Sequence, residues 1–500
     1  MEMLYRSTRG NREIASASLA MLNGLAPDGG LYVPDHLPRL EKSFVELSQM
    51  TYHDIAYEVM RQFLTDFSQK ELRACIRAAY DEKFDTPQIA PITVADGRYF
   101  LELWHGKTMA FKDMALSILP YLMANAAHKL NEEREIVILT ATSGDTGKAA
   151  LAGFADVPGT KIIVFYPKHG VSPVQEKQMV TQEGDNVLVV GIKGNFDDAQ
   201  NGVKVLFTDE GMRARMNEKM LRFSSANSIN IGRLVPQIAY YVASYAAMLR
   251  EEEIGSGSEI NICVPTGNFG NILAAYYARW MGLPVHKLIC ASNSNKVLFD
   301  FFRQGVYDKE REFITTQSPS MDILISSNLE RLIYHTAGDD AEKCAALMKR
   351  LSREGHYEIS REMEKELSCF AAGYATEEEC AAAIRELYDT TGYLIDTHTA
   401  VGAAVHRKYV KETGDDRATL IASTASPYKF PRAVWNALQG RALSDRSDAT
   451  EDEALAERLS KKSGMPLPEP FLQLKQARVR HNTVCEKEGM RAEVERFLGL

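Results

Sequence analysis

The chain has 500 residues, 45% of them hydrophobic and 25% charged, an ordinary balance for folded globular protein. A formal net charge of −9 and a pI near 5.8 argue against general nucleic-acid binding and against a polybasic membrane surface. The start, Met1-Glu2-Met3-Leu4-Tyr5, has no apolar signal region, and the longest largely apolar stretch, near Leu116 to Ala127, is broken by Pro120 and too short to span a bilayer.

A cytoplasmic location is therefore expected. The seven cysteines, Cys75, Cys263, Cys290, Cys344, Cys369, Cys380 and Cys485, include no CxxC pair. Free thiols in a reducing compartment fit this pattern, and no metal-ligand spacing is present. Cys263 and Cys290 fall in apolar runs and read as inert core.

In chain order, residues 1–95 read as a separate unit of mixed α+β character. Arg6-Ser7-Thr8-Arg9-Gly10 opens it, and Ala26-Pro27-Asp28-Gly29-Gly30 is a turn signal before Leu31-Tyr32-Val33-Pro34. Helical periodicity runs through Ile55–Phe63 and Glu71–Phe84. Arg6 and Arg9 read locally as a pair of solvated surface charges.

The texture changes near residue 96. Tyr99–Leu103 is a short strand, and Thr108 to Leu119 reads as a helix carrying Lys112. On such a helix Lys112 has Thr108, Ala115, Leu116 and Leu119 as neighbours, a nearly apolar face. A lysine there either snorkels to water or is buried, with its pKa depressed and its amine available as nucleophile or base.

Strand Ile136–Thr140 then leads into Ala141-Thr142-Ser143-Gly144-Asp145-Thr146-Gly147 and a helix from Lys148 to Phe154. Strands Ile162–Tyr166 and Val187–Ile192 follow, the second before a helix from Phe196 to Phe207. The alternation resumes with strand Ile260–Val264, the Gly-rich turn Pro265–Asn271, helix Ile272–Trp280 and strand Lys287–Ala291. Residues 340–390 read as helical and charged. A last strand, Ala418–Ala422, precedes Ser423-Thr424-Ala425-Ser426-Pro427. This βαβα order predicts an α/β fold with doubly wound, mostly parallel sheets. Residues 441–500 read as a polar, helical tail packed on the core.

Three turns follow strands. Gly267-Asn268-Phe269-Gly270-Asn271 closes a strand and opens a helix, the arrangement in which backbone N–H groups and a helix N-terminus cradle a phosphate. A turn with no ligand is the plainer alternative. Thr142–Lys148 fails the P-loop pattern, which needs glycine at 142 and Ser or Thr at 149. It either holds a carboxylate through Ser143, Thr146 and local N–H groups or is a helix N-cap. Ser423-Thr424-Ala425 places hydroxyls at a strand's carboxyl end, where α/β sheets bind ligands. Asn227-Ser228-Ile229-Asn230-Ile231-Gly232-Arg233 gathers donors suited to an anion or caps the helix that follows. No GxGxxG follows the first strand and no GxSxG elbow is present. His105 reads as a packed or capping histidine.

Taken together these motifs make the chain resemble threonine synthases of pyridoxal-phosphate fold type II. The resemblance rests on Arg6–Gly10 with Asp28–Pro34, on His105-Gly106 through Ala110-Phe111-Lys112-Asp113, and on Thr142–Gly147. Asn227–Arg233, Pro265–Asn271, Ser318-Pro319-Ser320-Met321-Asp322 and Ser423-Thr424-Ala425 add to it.

It implies two doubly wound subdomains, an N-terminal domain over 1–95, a catalytic core over 96–440 with a smaller subdomain near 105–240, and the tail 441–500. It implies pyridoxal 5′-phosphate held by Lys112 as a Schiff base, its phosphate cradled by Gly267, Asn268, Phe269, Gly270 and Asn271, with the neutral Thr424 hydroxyl at its ring nitrogen. Ser143, Gly144, Asp145, Thr146 and Gly147 would hold the substrate carboxylate region, and Asn230 and Arg233 the substrate phosphate.

The expected reaction converts O-phospho-L-homoserine and water to L-threonine and phosphate, in a monomer or homodimer without nucleic-acid or membrane partners. A phospholyase giving 2-oxobutyrate, a dehydratase, and a cofactor-binding protein without turnover are the alternatives. Lys107, Ser426, Tyr428 and Lys296 depart from residues common in the family, namely proline, histidine, alanine and an acidic residue.

Overall fold

The computed structural model describes residues 2–142, 144–442 and 449–500. Its strands, in chain order, are β1 (Tyr5–Ser7), β2 (Tyr32–Pro34), β3 (Ile92–Ala95), β4 (Arg98–Glu102), β5 (Glu135–Ala141), β6 (Thr160–Pro167) and β7 (Val187–Lys193). They continue with β8 (Leu221–Ser224), β9 (Ile260–Pro265), β10 (Val285–Ser292), β11 (Val306–Asp308), β12 (His356–Glu358), β13 (Phe370–Tyr374), β14 (Thr419–Ser423) and β15 (Val484–Glu486).

Two sheets organise the α/β architecture. The six-stranded sheet runs β13-β10-β9-β14-β4-β3 and is parallel except for β3, which pairs antiparallel with β4. The five-stranded sheet, β15-β7-β6-β5-β8, is wholly parallel. Central strands such as β9, buried along its whole length, are largely apolar because helices cover both faces of a parallel sheet, and the buried Asn261 of β9 is satisfied by Asp415 at 2.9 Å. β3 lies within the stretch assigned from sequence to the N-terminal unit, yet it forms the edge of the larger sheet.

Several sequence expectations change. The helix expected over Glu71–Phe84 spans Gln69–Ala79 and stops short of Phe84. Residues 340–390 hold strands β12 and β13 among their helices. The tail is not purely helical: β15 extends the smaller sheet alongside β7, with Val484 opposite Gly191. Its sparse apolar residues complete cores built elsewhere. Met490, Val494 and Leu498 pack with Val137, Leu139 and Phe165, and Ala456, Leu459 and Phe471 pack with Val401 and Tyr428.

The most consequential change concerns Lys112. The segment Thr108–Phe111 is not helical, and the helix spans only Asp113–Leu116 with Lys112 at its N-cap position. The reason is competition for backbone groups. Phe111 N–H donates to Thr424 O (2.8 Å), Ser426 N–H donates to Met109 O (3.0 Å), and Ala110 bridges Ala425. These long-range pairings occupy the groups a helix would use.

Arg9 is not a free surface charge either. It forms a bidentate pair with Glu330, 2.9 Å from Nε to Oε1 and 2.7 Å from Nη2 to Oε2, and Thr8 Oγ1 donates to the same carboxylate. The N-terminal unit is tied more deeply by Arg331, which is fully buried. Its Nε donates to Tyr32 O (2.9 Å), Nη2 to Ile229 O (2.5 Å) and Nη1 to Asn328 Oδ1. Three separate segments thus share one guanidinium, a planar fork that suits several acceptors at once. Replacing Arg331 by Met strands those acceptors, each costing about 1–3 kcal/mol. Urea unfolding is expected to show a loss of roughly 3–5 kcal/mol, and an unchanged midpoint would refute this role.

Candidate active site

Lys112 is buried, 9% exposed. Burial pushes its amine down to about 8, Asp145 opposes that shift, and the like charges of Lys429 and Arg233 add to it. Lys112 Nζ donates to Ser320 Oγ (3.2 Å) and lies 3.7 Å from Asp145 Oδ2. The sequence expectation of a buried, pKa-depressed lysine therefore holds, although its helical setting does not.

Asp145 opens the helix Asp145–Phe154. Its Oδ1 pairs with Lys429 Nζ at 2.5 Å and accepts from Gln175 Nε2 at 2.9 Å, while Oδ2 accepts from Ser320 Oγ at 3.2 Å. Burial alone would raise this carboxyl, but the two ammonium groups hold it well below the usual carboxylate range. Such a carboxylate, committed to cations, repels another carboxylate. The Asp145 side chain is thus fully engaged by Lys429, Gln175 and Ser320, and only its backbone N–H at the helix start is left to face a ligand.

The turn preceding it is stitched internally. Thr142 Oγ1 accepts from Gly144 N (3.0 Å) and Gly147 N (2.9 Å) and donates to Gly144 O (3.1 Å). Thr146 remains half-buried at the start of the helix. Ser143 lies outside the described residues.

Gly267–Asn271 follows β9. Its carbonyls are held from outside: Ser326 Oγ donates to Gly267 O (2.6 Å), and Asn328 donates to Asn268 O from Nδ2 (2.9 Å) and N (3.1 Å). Among the described residues, none of the five N–H groups has a protein acceptor. Phe269 adopts φ +63, a left-handed conformation costing about 1–2 kcal/mol, and its buried ring packs against Phe302 at 6.1 Å. A Cβ on Gly267 would stand 2.7 Å from Ser320 O, so close approach of Ser320 requires glycine there. Asn271 accepts from both Tyr240 OH (2.6 Å) and Tyr241 OH through Oδ1, while its buried Nδ2 has no partner. Free N–H groups, a glycine cradle and an orphaned amide donor at a helix start together fit a phosphate.

The remaining candidates divide. Thr424 is buried just past β14. Arg233 is buried, donates from Nη1 to Ala226 O (2.7 Å), and keeps Nε unpartnered. Desolvation pushes its pKa down to about 10. Asn230 has nothing to spare: Nδ2 donates to Met21 O (2.8 Å) and Ser225 O (2.9 Å), and Oδ1 caps Gly232 N (2.9 Å). It caps the helix Ile231–Arg250 and anchors the N-terminal unit. His105 is clasped between Asp85 (2.5 Å) and Glu102 (2.8 Å), as its packed reading predicts.

Sequence reasoning passed over Lys429, Gln175 and Asn328, and noted Ser320 only inside a motif. A lysine inside the apolar run Pro427-Tyr428-Lys429-Phe430-Pro431 was the one available signal. Of the departing residues, Lys107 is exposed, Lys296 pairs with Asp300 at 2.7 Å, and Ser426 caps Tyr428 N at 3.3 Å.

The two doubly wound sheets and the buried Lys112 fit the class of pyridoxal-phosphate-dependent enzymes, and the model for the family described as "Pyridoxal-phosphate dependent enzyme" matches residues 87–359. Within that class the chain belongs to the threonine synthase family: "Threonine synthase N terminus" matches residues 4–80 and "Threonine synthase, C-terminal" residues 399–488.

Threonine synthase of Pseudomonas aeruginosa is 38% identical over 445 residues, covering 88% of this chain and 91% of that one. Threonine synthase-like 1 of Homo sapiens is 39% identical over 445 residues, 86% of this chain, and the match spans only 59% of that protein. The PLP-bound threonine synthase structure from Brucella melitensis superposes with a TM-score of 0.86 at 33% identity, covering 99% of both chains. The yeast threonine synthase structure gives 0.86 at 31%, again covering 99% of both.

Lys429→Met tests the charge cluster. It removes one repulsion on Lys112 and leaves Asp145 wholly to it, so the Lys112 pKa is expected to rise above about 8. The pH dependence of aldehyde addition to Lys112 would then move to more alkaline pH, and an unmoved or acid-shifted profile would contradict the assignment.

Proposed function

We propose that this chain converts O-phospho-L-homoserine and water to L-threonine and phosphate, using pyridoxal 5′-phosphate. The observation that carries the proposal is the burial of Lys112 beside Asp145 and Ser320, with the Ser320 carbonyl standing against Gly267 of the glycine turn. Lys112 would hold the cofactor aldehyde, Gly267–Asn271 its phosphate, and Thr424 its ring nitrogen with a neutral hydroxyl. The bound cofactor supplies an electron sink for negative charge on the substrate carbons.

The protein's own groups then do the proton work. Lys112 Nζ, freed when the substrate amine takes its place, removes the proton at Cα and next one at Cβ. Phosphate leaves from Cγ, Lys112 returns one proton to Cγ and one to Cα, the hydroxide of water adds at Cβ, and the remaining water proton leaves with the phosphate. Gly144, Thr146 and Gly147, with Ser143, are the proposed seat of the substrate carboxylate. Arg233, with a free buried N–H, is the proposed phosphate ligand. Water must be kept out early and admitted late, so closure of the smaller subdomain and the N-terminal unit over the substrate belongs to the proposal.

We further infer a reducing, cytoplasmic setting and a monomer or homodimer. All seven cysteines are unpaired, and no helix among the described residues is long and apolar enough to cross a membrane.

Product analysis tests the reading. Purified protein and Lys112→Ala are given O-phospho-L-homoserine, and phosphate, threonine and 2-oxobutyrate are assayed together. Threonine equal to phosphate, and absent from the variant, is expected. Phosphate with 2-oxobutyrate would make the chain a phospholyase, and no phosphate from cofactor-loaded protein would overturn the substrate. Gly267→Ala is expected to weaken cofactor binding about tenfold or more, since one displaced hydrogen bond is worth about 1–1.5 kcal/mol. A titration of visible absorbance reads this directly.

A further inference from the structure

Ser320 joins Lys112, Asp145 and the Gly267 turn. Its Oγ accepts from Lys112 Nζ and donates to Asp145 Oδ2, both at 3.2 Å, and its carbonyl stands against Gly267. It belongs to a single 3₁₀ turn, Pro319–Met321, which has no side-chain cap. Neighbours hold the residues on either side of Ser320: Asn293 Nδ2 and Asn295 Nδ2 donate to Asp322 Oδ1 at 2.8 and 2.9 Å, and Thr397 Oγ1 donates to Gln317 O at 2.6 Å. Ser320 N–H donates to His398 Nε2 at 3.2 Å, and His398 Nδ1 lies 2.8 Å from Asp396 Oδ2. Both His398 and Asp396 are buried, at 3% and 0% exposed.

A backbone N–H can only donate, so Nε2 must accept and carry no proton. A carboxylate at Nδ1 selects that tautomer. Asp396 is itself fixed by the start of the helix Thr397–Thr413, accepting from His398 N and Thr399 N at 2.9 Å each. The Phe430 ring lies 5.1 Å from the imidazole, next to Lys429.

We propose that His398, oriented by Asp396, is a positioning residue that holds Ser320 against both Lys112 and the Gly267 cradle. Its partners are Ser320, Asp396 and Phe430, and it has no hydrogen bond to Lys112 among the described residues. Through Ser320 it sets the direction of the Lys112 amine and the backing of the phosphate loop, linking the helix Thr397–Thr413 to the site. The inference rests on the reading of Lys112 as the cofactor lysine.

The test compares His398→Leu, His398→Gln, Asp396→Asn and Ser320→Ala in the full chain. Pyridoxal 5′-phosphate affinity is titrated by visible absorbance, and the lysine adduct is trapped with borohydride. His398→Leu is expected to weaken cofactor affinity about tenfold, the equivalent of one buried hydrogen bond. His398→Gln, which offers Oε1 to Ser320 N–H and an amide to Asp396, is expected to stay within about threefold of wild type. Asp396→Asn, isosteric, is expected to fall with His398→Leu because it no longer enforces the tautomer. It serves as the test should His398→Leu fail to fold. His398→Leu combined with Ser320→Ala is expected to be no worse than the poorer single variant, as residues acting through one another are non-additive.

Equal losses in the Leu and Gln variants, unchanged affinity in Leu and Asn, or additive effects would overturn the positioning role while leaving Lys112 as the cofactor lysine. Absence of any trapped adduct in wild type would overturn that reading of Lys112, and this inference with it.

Discussion

A lysine can be kept buried and still be useful only if its surroundings balance two opposing demands. Desolvation drives it neutral, and a paired carboxylate drives it charged. At Lys112 the balance is struck by sharing. Asp145 sits 2.5 Å from Lys429 and 3.7 Å from Lys112, so its charge is largely spent on the first lysine and only partly felt by the second. Had Lys429 been absent, Asp145 would form a tight pair with Lys112 and hold it protonated. Had Asp145 been absent, two buried ammonium groups would face one another. The rest of the site is arranged around this three-membered cluster. Thr108 O receives Lys429 at 3.0 Å, and Ser320 lies between Lys112 and Asp145.

That sharing explains which parts of the molecule were legible from sequence. The strands were, because β-branched runs such as Ile136-Val137-Ile138-Leu139 have one good home, a parallel sheet covered on both faces. The Gly267–Asn271 turn was, because two glycines between a strand and a helix signal their backbone geometry locally. Lys112 was noticed because a cation among apolar neighbours is conspicuous in any local structure. The local structure itself was misread: Thr108–Phe111 has acceptable helical residues, and only pairing with Thr424–Ser426, more than three hundred residues away, withdraws its backbone groups from a helix. Partners at that range leave no periodic trace. Arg9 and Arg331 were opaque for the same reason, since their acceptors Glu330, Tyr32 and Ile229 become neighbours only in the fold.

The N-terminal unit is more than a cover. Arg331 joins Tyr32 of that unit to Asn328, and Asn328 holds Asn268 O in the glycine turn proposed to cradle phosphate. Asn230, capping the helix Ile231–Arg250 that carries Arg233, is bonded to Met21 O. Two hydrogen-bonded routes therefore run from the first thirty-five residues into the site, one to the cradle and one to Arg233. Their members are buried and directly bonded, so displacement of the unit would leave acceptors unsatisfied at both ends.

The charges that converge here also say something about what completes the site. Lys112, Lys429 and Arg233 are buried within electrostatic reach of one another, and Asp145 is the carboxylate in contact with both lysines. Burying an excess of one sign is costly unless a counter-charge arrives. The free Nε of Arg233 and the free Nδ2 of Asn271 are donors awaiting acceptors, and the cradle contributes five unpaired backbone N–H groups of the same polarity. A ligand set rich in phosphate oxygens satisfies the donors and the charge together, and a neutral one satisfies neither. Desolvation does most to hold the Lys112 pKa down, the charges of Lys429 and Arg233 add to it, and the same charges favour an anionic ligand. One arrangement of charge thus serves both binding and proton transfer, which ties the reactivity of Lys112 to the phosphate chemistry proposed for this chain.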